Sequence, residues 1–400
     1  MATEHTTVAI VGGGPAGLLL SQLLHQDGVD HIVLESRQRE EIENTHRAGI
    51  LEAGAVDALV KAGLDGVLKN GHEHEGIELR LDGKNHRVDL KELTGRSVWL
   101  YPQTELFIEL ADRAAADGID VRYGAQVTEI LDRDNPRLRW TDAEGNEHEM
   151  TADILIGADG SRSITRLTLP EHSRETIFHE YPYAWFGFIT EAPRSAPELV
   201  YGTSEKGFAL VSQRTDTHQR MYFQCDPETN ADDWTDEQIW ETMRERLAGV
   251  DGFVALEGPI VEKAVLRFRS LVVEPVRHGH QLIVGDAAHT VPPTGAKGLN
   301  LAIGDVVVLH DVLTKWLATR DDSLLDEYGQ RVNDRVWRAQ HFSAWMSRMM
   351  HAAADESKFE ARRRIAELRT LVESEAGRRY LAEGYTGWGS IINPTNDPTV

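Results

Sequence analysis

Residues 7–24 read TVAIVGGGPAGLLLSQLL, and the order of their residue types decides the fold. The apolar, partly β-branched run 7–11 suits a buried strand; Gly12, Gly13, Gly14, Ala16 and Gly17 follow at once, and a helical pattern continues to Leu24. Strand, glycine turn and helix in this order open a dinucleotide-binding unit. Glycines are required because side chains would block the close approach of a pyrophosphate to the helix N-terminus, where free N–H groups and the helix dipole favour anionic oxygens. A second apolar run, 31–34, predicts the next strand. Glu35 at its end stands where a carboxylate can accept hydrogen bonds from ribose hydroxyls.

Composition sets limits. A chain of 400 residues, 41% hydrophobic and 27% charged, can hold two or three domains of a soluble globular protein. The formal charge of −23, from 42 basic and 65 acidic residues, argues against a nucleic-acid partner or an anionic membrane partner. An anionic ligand must therefore meet a local cluster of arginines. The opening MATEHTTVAIVGG lacks the basic start and apolar stretch of a secretory signal, and no apolar run is long enough to span a bilayer, so the expected location is cytoplasmic. The single cysteine, Cys225, excludes an internal disulfide and a cysteine zinc cluster; no metal is expected, and Cys225 reads as a small buried apolar residue.

Strands and helices alternate to about Leu110, with further strands expected near 121–123 and 154–157, the latter leading into GADG at 157–160. From 181 to 269 the chain changes character. Short aromatic and β-rich runs, AWFGFIT, GFALVS and RMYFQC, predict an inserted sheet. Within it, 232–247 has helical spacing, with Trp234, Ile239, Trp240, Met243 and Leu247 on the inner face. Beyond Gly298 the pattern is helical over 301–317, 326–350 and 357–376. The stripe Trp337, Phe342, Trp345, Met346 and Met349 suits core packing first and a dimer contact second. The expected class is α/β (α+β): a Rossmann-type dinucleotide domain over 1–180, continued at about 267–300; a β-sheet substrate domain over 181–266 with part of 72–100; and a C-terminal helical region over 300–400.

GGGPAG at 12–17, GADG at 157–160 and GDAAHTVPPTGAKGLNLA at 285–302 resemble the three signatures of the single-component flavin-dependent aromatic hydroxylases. RAGILE (47–52), HEGIE (74–78), YPQTE (101–105), SQR (212–214), VVEP (272–275) and EGYTG (383–387) carry the resemblance almost end to end. It implies that the dinucleotide is FAD, that NADH or NADPH is a cosubstrate because only one dinucleotide motif is visible, and that the other reactants are O2 and a small aromatic acid. It also implies a homodimer. The implied reaction is hydroxylation of 4-hydroxybenzoate at C3 to 3,4-dihydroxybenzoate through a flavin C4a-hydroperoxide. Two alternatives stand beside it: a hydroxylase of another hydroxy- or aminobenzoate, and a non-catalytic flavin- or aromatic-acid-binding protein.

A hydroxybenzoate needs a charged fork for its carboxylate, apolar walls and a proton acceptor at its phenol. Ser212 and Arg214 are two apart on a predicted strand and would share a face, with Tyr222 on the strand returning beside them. Arg214 can grip a carboxylate with two parallel hydrogen bonds. The resemblance gives Ser212, Arg214 and Tyr222 to the carboxylate, Tyr201 and Tyr385 to the phenol, and the Pro293 backbone carbonyl to the same end. Tyr201, Tyr385 and His74 then form an implied proton relay, since tyrosine hydroxyls both donate and accept and histidine titrates near neutral pH. His72 competes with His74.

On the flavin side the resemblance implies Asp286 at the ribityl chain, Gln103 and Arg47 beside the ring, and Asp159 as the acid of GADG. Leu299 and Asn300 begin a helix whose N–H groups would face the charge on reduced flavin. Arg47, Arg166 and Arg269 match residues near the cosubstrate pyrophosphate, and Arg162 replaces a histidine there while keeping the positive character. Ser36 and Glu41 stand where the NADPH-dependent pattern has an arginine and a tyrosine, although Arg37 and Arg39 are close. An acid repels a 2′-phosphate, so NADH is expected to be accepted, and preferred.

Overall fold

The computed structural model of the protein describes residues 4–45 and 49–388. The strand Glu4–Val11 lies inside the first sheet and feeds two cores at once. Val8 and Ile10 point to one face and Ala9 and Val11 to the other, the period of two that a strand buried on both sides requires. The sheet order is Arg277–His278, Gln281–Ile283, Glu147–Gly157, Glu4–Val11, His31–Glu35, Val121–Tyr123. Its members from Gln281–Ile283 to Val121–Tyr123 are parallel. Helices Pro15–Gln26, Gln103–Asp117 and Gly298–Thr319 supply the first core. The strands Gln126–Asp132 and Arg137–Thr141, branching from Glu147–Gly157, cover the second through Val127, Ile130, Leu138 and Trp140.

The glycines after the first strand are fixed by contact as well as by conformation. Gly12 has φ +107°, and a Cβ there would lie 2.3 Å from the Ala158 carbonyl oxygen. A Cβ on Gly17 would lie 1.9 Å from the Gly12 carbonyl oxygen, so the helix packs directly on the turn.

The second sheet runs His289–Thr290, Ile260–Glu274, Glu175–Thr190, Gln219–Cys225, Gly207–Gln213, Val200–Ser204, Gly76–Leu81, Lys84–Asp89. Only Val200–Ser204 against Gly76–Leu81 is parallel. The boundaries expected at 181 and 266 fall inside the two long strands Glu175–Thr190 and Ile260–Glu274, whose pairing is interrupted at residues 181–183. One face of the sheet, with Phe186, Phe188, Val211, Met221 and Phe223, packs on the helix Asp236–Leu247. The other face, with Leu79, Tyr201, Leu210 and Tyr222, packs against the C-terminal helices Ser323–Met350, Lys358–Glu373 and Glu375–Thr386.

Three local expectations differ from the structure. The helix expected from 232 starts at Asp236, because Thr235 and Gln238 close a capping box there. The helix expected over 357–376 breaks at Ser374, whose side chain accepts from the Gly377 N–H and starts a new helix. The aromatic stripe splits: Phe342, Met346 and Met349 are buried, whereas Trp337 is 41% exposed and donates to Glu274. Cys225 is half-buried beside the Phe186 cluster, and burial pushes its thiol up to about 11. Among the described residues no helix is long and apolar enough to cross a membrane, and no cluster of three potential metal ligands occurs.

Gly17→Ala should therefore destabilise the protein by about 2–3 kcal/mol, since a backbone atom is in the way. Urea unfolding checks this; an unchanged midpoint would contradict the packing.

Candidate active site

The glycine turn and the strand end beside it fit an anionic cofactor. The helix Pro15–Gln26 starts at Gly14 without a side-chain cap, leaving its first N–H groups unclaimed by side chains, and a Cβ on Gly14 would meet nothing within 4 Å. Glu35 is buried; its Oε2 accepts from the Gly13 N–H at 2.8 Å and its Oε1 from the Arg37 N–H at 3.0 Å. The carboxylate that ends the second strand thus holds the glycine turn. Ala16 lies near Gly285, which joins this turn to GDAAH.

Asp159 braces the GADG loop, accepting from the Ser163 hydroxyl (2.6 Å), the Thr165 hydroxyl (2.7 Å) and the Thr165 N–H (3.0 Å). Arg166 is half-buried and spans GADG and GDAAH, donating to the carbonyls of Ser161 (2.6 Å), Asp286 (3.3 Å) and Ala287 (3.1 Å). Burial pulls its guanidinium down, Asp159 opposes this, and neighbouring Arg269 adds to it. Arg162 and Arg269 are exposed, and Asp286 is half-exposed in the 3-10 turn Gly285–Ala287. Gln103 opens its helix, close against Gly49. Arg47 lies outside the described residues.

Leu299 and Asn300 occupy the first turn of Gly298–Thr319, one residue inside its start. The Asn300 side chain acts as a clip: its amide donates to the Ile50 and Ala296 carbonyls, each at 2.8 Å, and its oxygen accepts from the Glu52 N–H at 2.9 Å. Just before it, Lys297 is buried, pairs with Glu52, and donates to the Tyr385 carbonyl at 3.2 Å. Burial pulls this ammonium below its usual value against the opposing pull of Glu52. Lys297 and Glu52 were missed by sequence reasoning although both lie in quoted motifs; nothing local signals a pair 245 residues apart.

On the second sheet the register assembles a row. Tyr201 pairs with Leu210, Leu210 with Tyr222, and Tyr222 with Gly187, so these residues share one face; Ser212 and Arg220 form the next row. A Cβ on Gly187 would crowd the Tyr222 ring at 2.8 Å, which accounts for glycine there. Tyr201 and Tyr385 meet, hydroxyl to hydroxyl, at 2.7 Å, and the Tyr201 hydroxyl reaches the Thr294 carbonyl at 3.3 Å. Both phenols are buried, and desolvation pushes each well above its usual value. The neighbouring Pro293 carbonyl accepts from the Ala296 N–H at 3.0 Å, and Ala296 takes φ +53° to close that turn.

Arg214 differs from expectation. The strand Gly207–Gln213 ends one residue before it, so Arg214 belongs to a turn in which its N–H donates to the His218 carbonyl. Burial, then neighbouring Arg220, push its guanidinium below the usual value. Arg220 sits over the Tyr222 ring at 5.4 Å and was also missed; its spacing of two from Tyr222 was the available signal. An anionic group placed among these arginines would relieve their mutual repulsion. The Ser212 hydroxyl donates to the Gln213 carbonyl at 3.2 Å.

His74 is not hydrogen-bonded to Tyr201 or Tyr385. It is buried, neither ring nitrogen has a protein partner, and desolvation pulls its titration down to about 4 instead of leaving it near neutral. His72 is half-buried at the other end of the same three-residue strand, His72–His74.

A family profile described as FAD binding domain matches residues 5–343. The p-hydroxybenzoate hydroxylase of Acinetobacter baylyi is 39% identical over 389 residues, 97% of this chain and 96% of that protein. The chain belongs to the flavin-dependent aromatic monooxygenases. Among solved structures, the p-nitrophenol 4-monooxygenase of Pseudomonas putida superposes with a TM-score of 0.82 at 20% identity, covering 96% of this chain and 99% of that one. An aklavinone-11 hydroxylase, solved as a ternary complex with FAD and aklavinone, gives 0.72 at 22% identity, covering 88% and 70%. The fold is the mixed α/β fold of these enzymes, and this enzyme's cofactor is FAD with a nicotinamide cosubstrate.

Two outcomes follow. Gly14→Ala should leave the apoprotein's melting temperature unchanged yet weaken FAD binding at least tenfold in a fluorescence titration, because only the ligand would meet the new methyl group. NMR of the His74 ring should show a midpoint below pH 5; its folded value lies below the unfolded one, so it contributes stability that is lost as pH falls from about 6.5 toward 4. A midpoint near 6.5 would contradict the burial.

Proposed function

We propose that this monooxygenase hydroxylates 4-hydroxybenzoate at C3, giving 3,4-dihydroxybenzoate, with NADH as the preferred reductant. The observation that carries this reading is the buried Tyr201–Tyr385 hydroxyl pair on the sheet face that also carries Ser212 and Tyr222, with Arg214 at its margin. The similarity to p-hydroxybenzoate hydroxylase over nearly the whole chain supports the same substrate.

Bound FAD, once reduced, supplies the activated oxygen. The protein's part is to hold the ring and manage one proton. Arg214, with Ser212 and Tyr222, anchors the carboxylate at one end, which sets the phenol against Tyr201 at the other. Because Tyr201 and Tyr385 resist ionisation, they remain hydrogen-bond donors at neutral pH; donation from Tyr201 stabilises the phenolate and makes the adjacent ring carbon electron-rich. The phenol proton leaves by exchange along Tyr201 and Tyr385, and the Thr294 and Pro293 carbonyls bound the phenol end. His74, neutral, buried and with neither ring nitrogen bonded to a protein group, is assigned as the relay's outer member. Toward FAD, the assignments are Gly12, Gly14, Ala16 and Gly17 at the pyrophosphate, Glu35 at the ribose, Asp286 at the ribityl chain, and Gln103, Arg47, Leu299 and Asn300 at the ring, with Asp159 supporting the loop. Arg47, Arg162, Arg166 and Arg269 serve the nicotinamide cosubstrate's pyrophosphate. A homodimer and a cytoplasmic location complete the proposal; exposed Trp337 and Phe359 supply apolar surface on the helical region for the dimer.

The preference for NADH rests on charge. Arg39 is matched by Glu43 and Asp112, Arg37 by Glu35, and the Glu41 carboxylate caps the Gln38 N–H at 2.7 Å. The nearby arginines are thus already paired with acids, and the segment disfavours a 2′-phosphate.

Oxidation of NADH and NADPH with 4-hydroxybenzoate, with product and peroxide quantified, tests this reading. Product matching NADH consumed, and a higher kcat/KM for NADH, are expected; strict NADPH dependence would overturn the cosubstrate assignment, and peroxide alone would overturn the substrate. Arg214→Ala should raise the Kd for 4-hydroxybenzoate by about 100-fold, the cost of a lost charge-assisted hydrogen-bond pair. Tyr201→Phe should leave that Kd within about threefold while lowering kcat at least 100-fold; a loss confined to binding would contradict the relay.

A further inference from the structure

Behind the GDAAH turn lies a buried ionisable group that the proposed chemistry does not use. Asp305 is fully buried in the interior of the helix Gly298–Thr319. Its Oδ2 accepts twice, from the Gly285 N–H at 2.9 Å and from His289 Nε2 at 2.6 Å. Its Oδ1 has no partner. A half-satisfied carboxylate at such depth is costly unless a cation compensates it, and His289, itself 2% exposed, is the cation bonded to it. Burial would pull its imidazole down, yet Asp305 raises it above the usual histidine value. Asp286 adds to this and Arg335, packed across Gly304, opposes it; the Tyr328 hydroxyl, neutral because burial and the charge of Asp305 push it up, is bonded to the Ile283 carbonyl.

The two ends of this clip bracket one turn. Gly285 takes φ +59°, a conformation that favours glycine, and Asp286 follows it directly. The carbonyls of Asp286 and Ala287 are held by Arg166, and the Ala288 carbonyl by the Val273 N–H. The remaining anchors, the first amide of the turn and the side chain that ends it, both converge on one oxygen of Asp305. We infer that Asp305 and His289 are a positioning pair for FAD: bound to each other, they fix the turn that presents Asp286 to the cofactor. Neither side chain need touch FAD. The inference rests on this turn lining the FAD site.

FAD titrations of the apoprotein, followed by fluorescence, test it with Asp305→Asn, His289→Asn and the double variant. Each single change should raise the FAD Kd at least about tenfold, and the double change should be no worse than the more damaging single one within about threefold, since both remove one unit. Val308→Ala, a core truncation on the same helix, controls for stability: it should lower the apoprotein melting temperature and leave the FAD Kd within about threefold. A second readout uses the wild-type protein. Its FAD Kd should be lowest on the acid side of the raised His289 value and rise as pH climbs through it, because the imidazolium is then lost; in His289→Asn this rise should vanish. Wild-type affinity in both single variants, additive effects in the double variant, or a pH rise that survives His289→Asn would overturn the inference. Weak FAD binding by the wild-type protein itself would instead overturn the reading of the turn as part of the FAD site.

Discussion

The bond between the hydroxyls of Tyr201 and Tyr385 ties the second sheet to the last described helix inside a shared apolar core. Tyr201 belongs to a short strand in the middle of the second sheet; Tyr385 lies near the end of the last described helix, 184 residues later. Their meeting requires the C-terminal helices to close over the sheet face and requires the Pro293–Gly295 turn to bring the Thr294 carbonyl against Tyr201. Without Tyr201 the buried Tyr385 hydroxyl would be left unsatisfied, at a cost of about 1–3 kcal/mol, whereas Tyr201 would keep the Thr294 carbonyl. Joined, they form a polar thread through an otherwise apolar core. On the function proposed above, that thread is where an ionised substrate phenol would be stabilised away from bulk water.

The two halves of the site are built on opposite principles. The cofactor half depends on what is absent: glycines at 12, 14 and 17 let backbone approach backbone or leave room for a pyrophosphate. Its acids, Glu35, Asp159 and Asp305, spend much of their hydrogen-bonding capacity on the protein's own loops, so they shape the site from behind. The half proposed for the substrate depends on a sheet whose register aligns tyrosine, leucine and tyrosine across three strands, with two arginines crowded at one end of the row. The helix starting at Gly298 connects them, with Lys297 and Asn300 tying it to the residues that precede Ala53 and to the last helix.

Local patterns carried the sequence reading far, and their reach explains where it stopped. The strand, glycine turn and helix of residues 7–24 need only neighbours, and the parallel sheet places them as the pattern implies. The strands of the inserted sheet are legible as short aromatic and β-rich runs. What the sequence could not show was set by contacts between distant residues. Arg214 reads as part of a strand until the pairing ends at Gln213 and a turn closes through His218. His74 reads as a near-neutral histidine until the fold removes its water. Asn300 reads only as a helix-start residue by its backbone N–H, and the clip its side chain makes to Ile50, Glu52 and Ala296 has no local signal. Asp305 and His289 lie in or near the longest motif and were still overlooked, because their meaning comes from the shared oxygen and not from their spacing.

The central claim is that the buried tyrosine pair makes the substrate phenol easier to ionise. The direct measurement is the ultraviolet difference spectrum of 4-hydroxybenzoate bound to the FAD-loaded protein, recorded against pH for the wild type and for Tyr201→Phe. The account predicts phenolate in the wild-type complex at a pH below that at which the free ligand ionises, and loss of that shift in the variant. Ionisation of the bound ligand at the same pH in both proteins would contradict it.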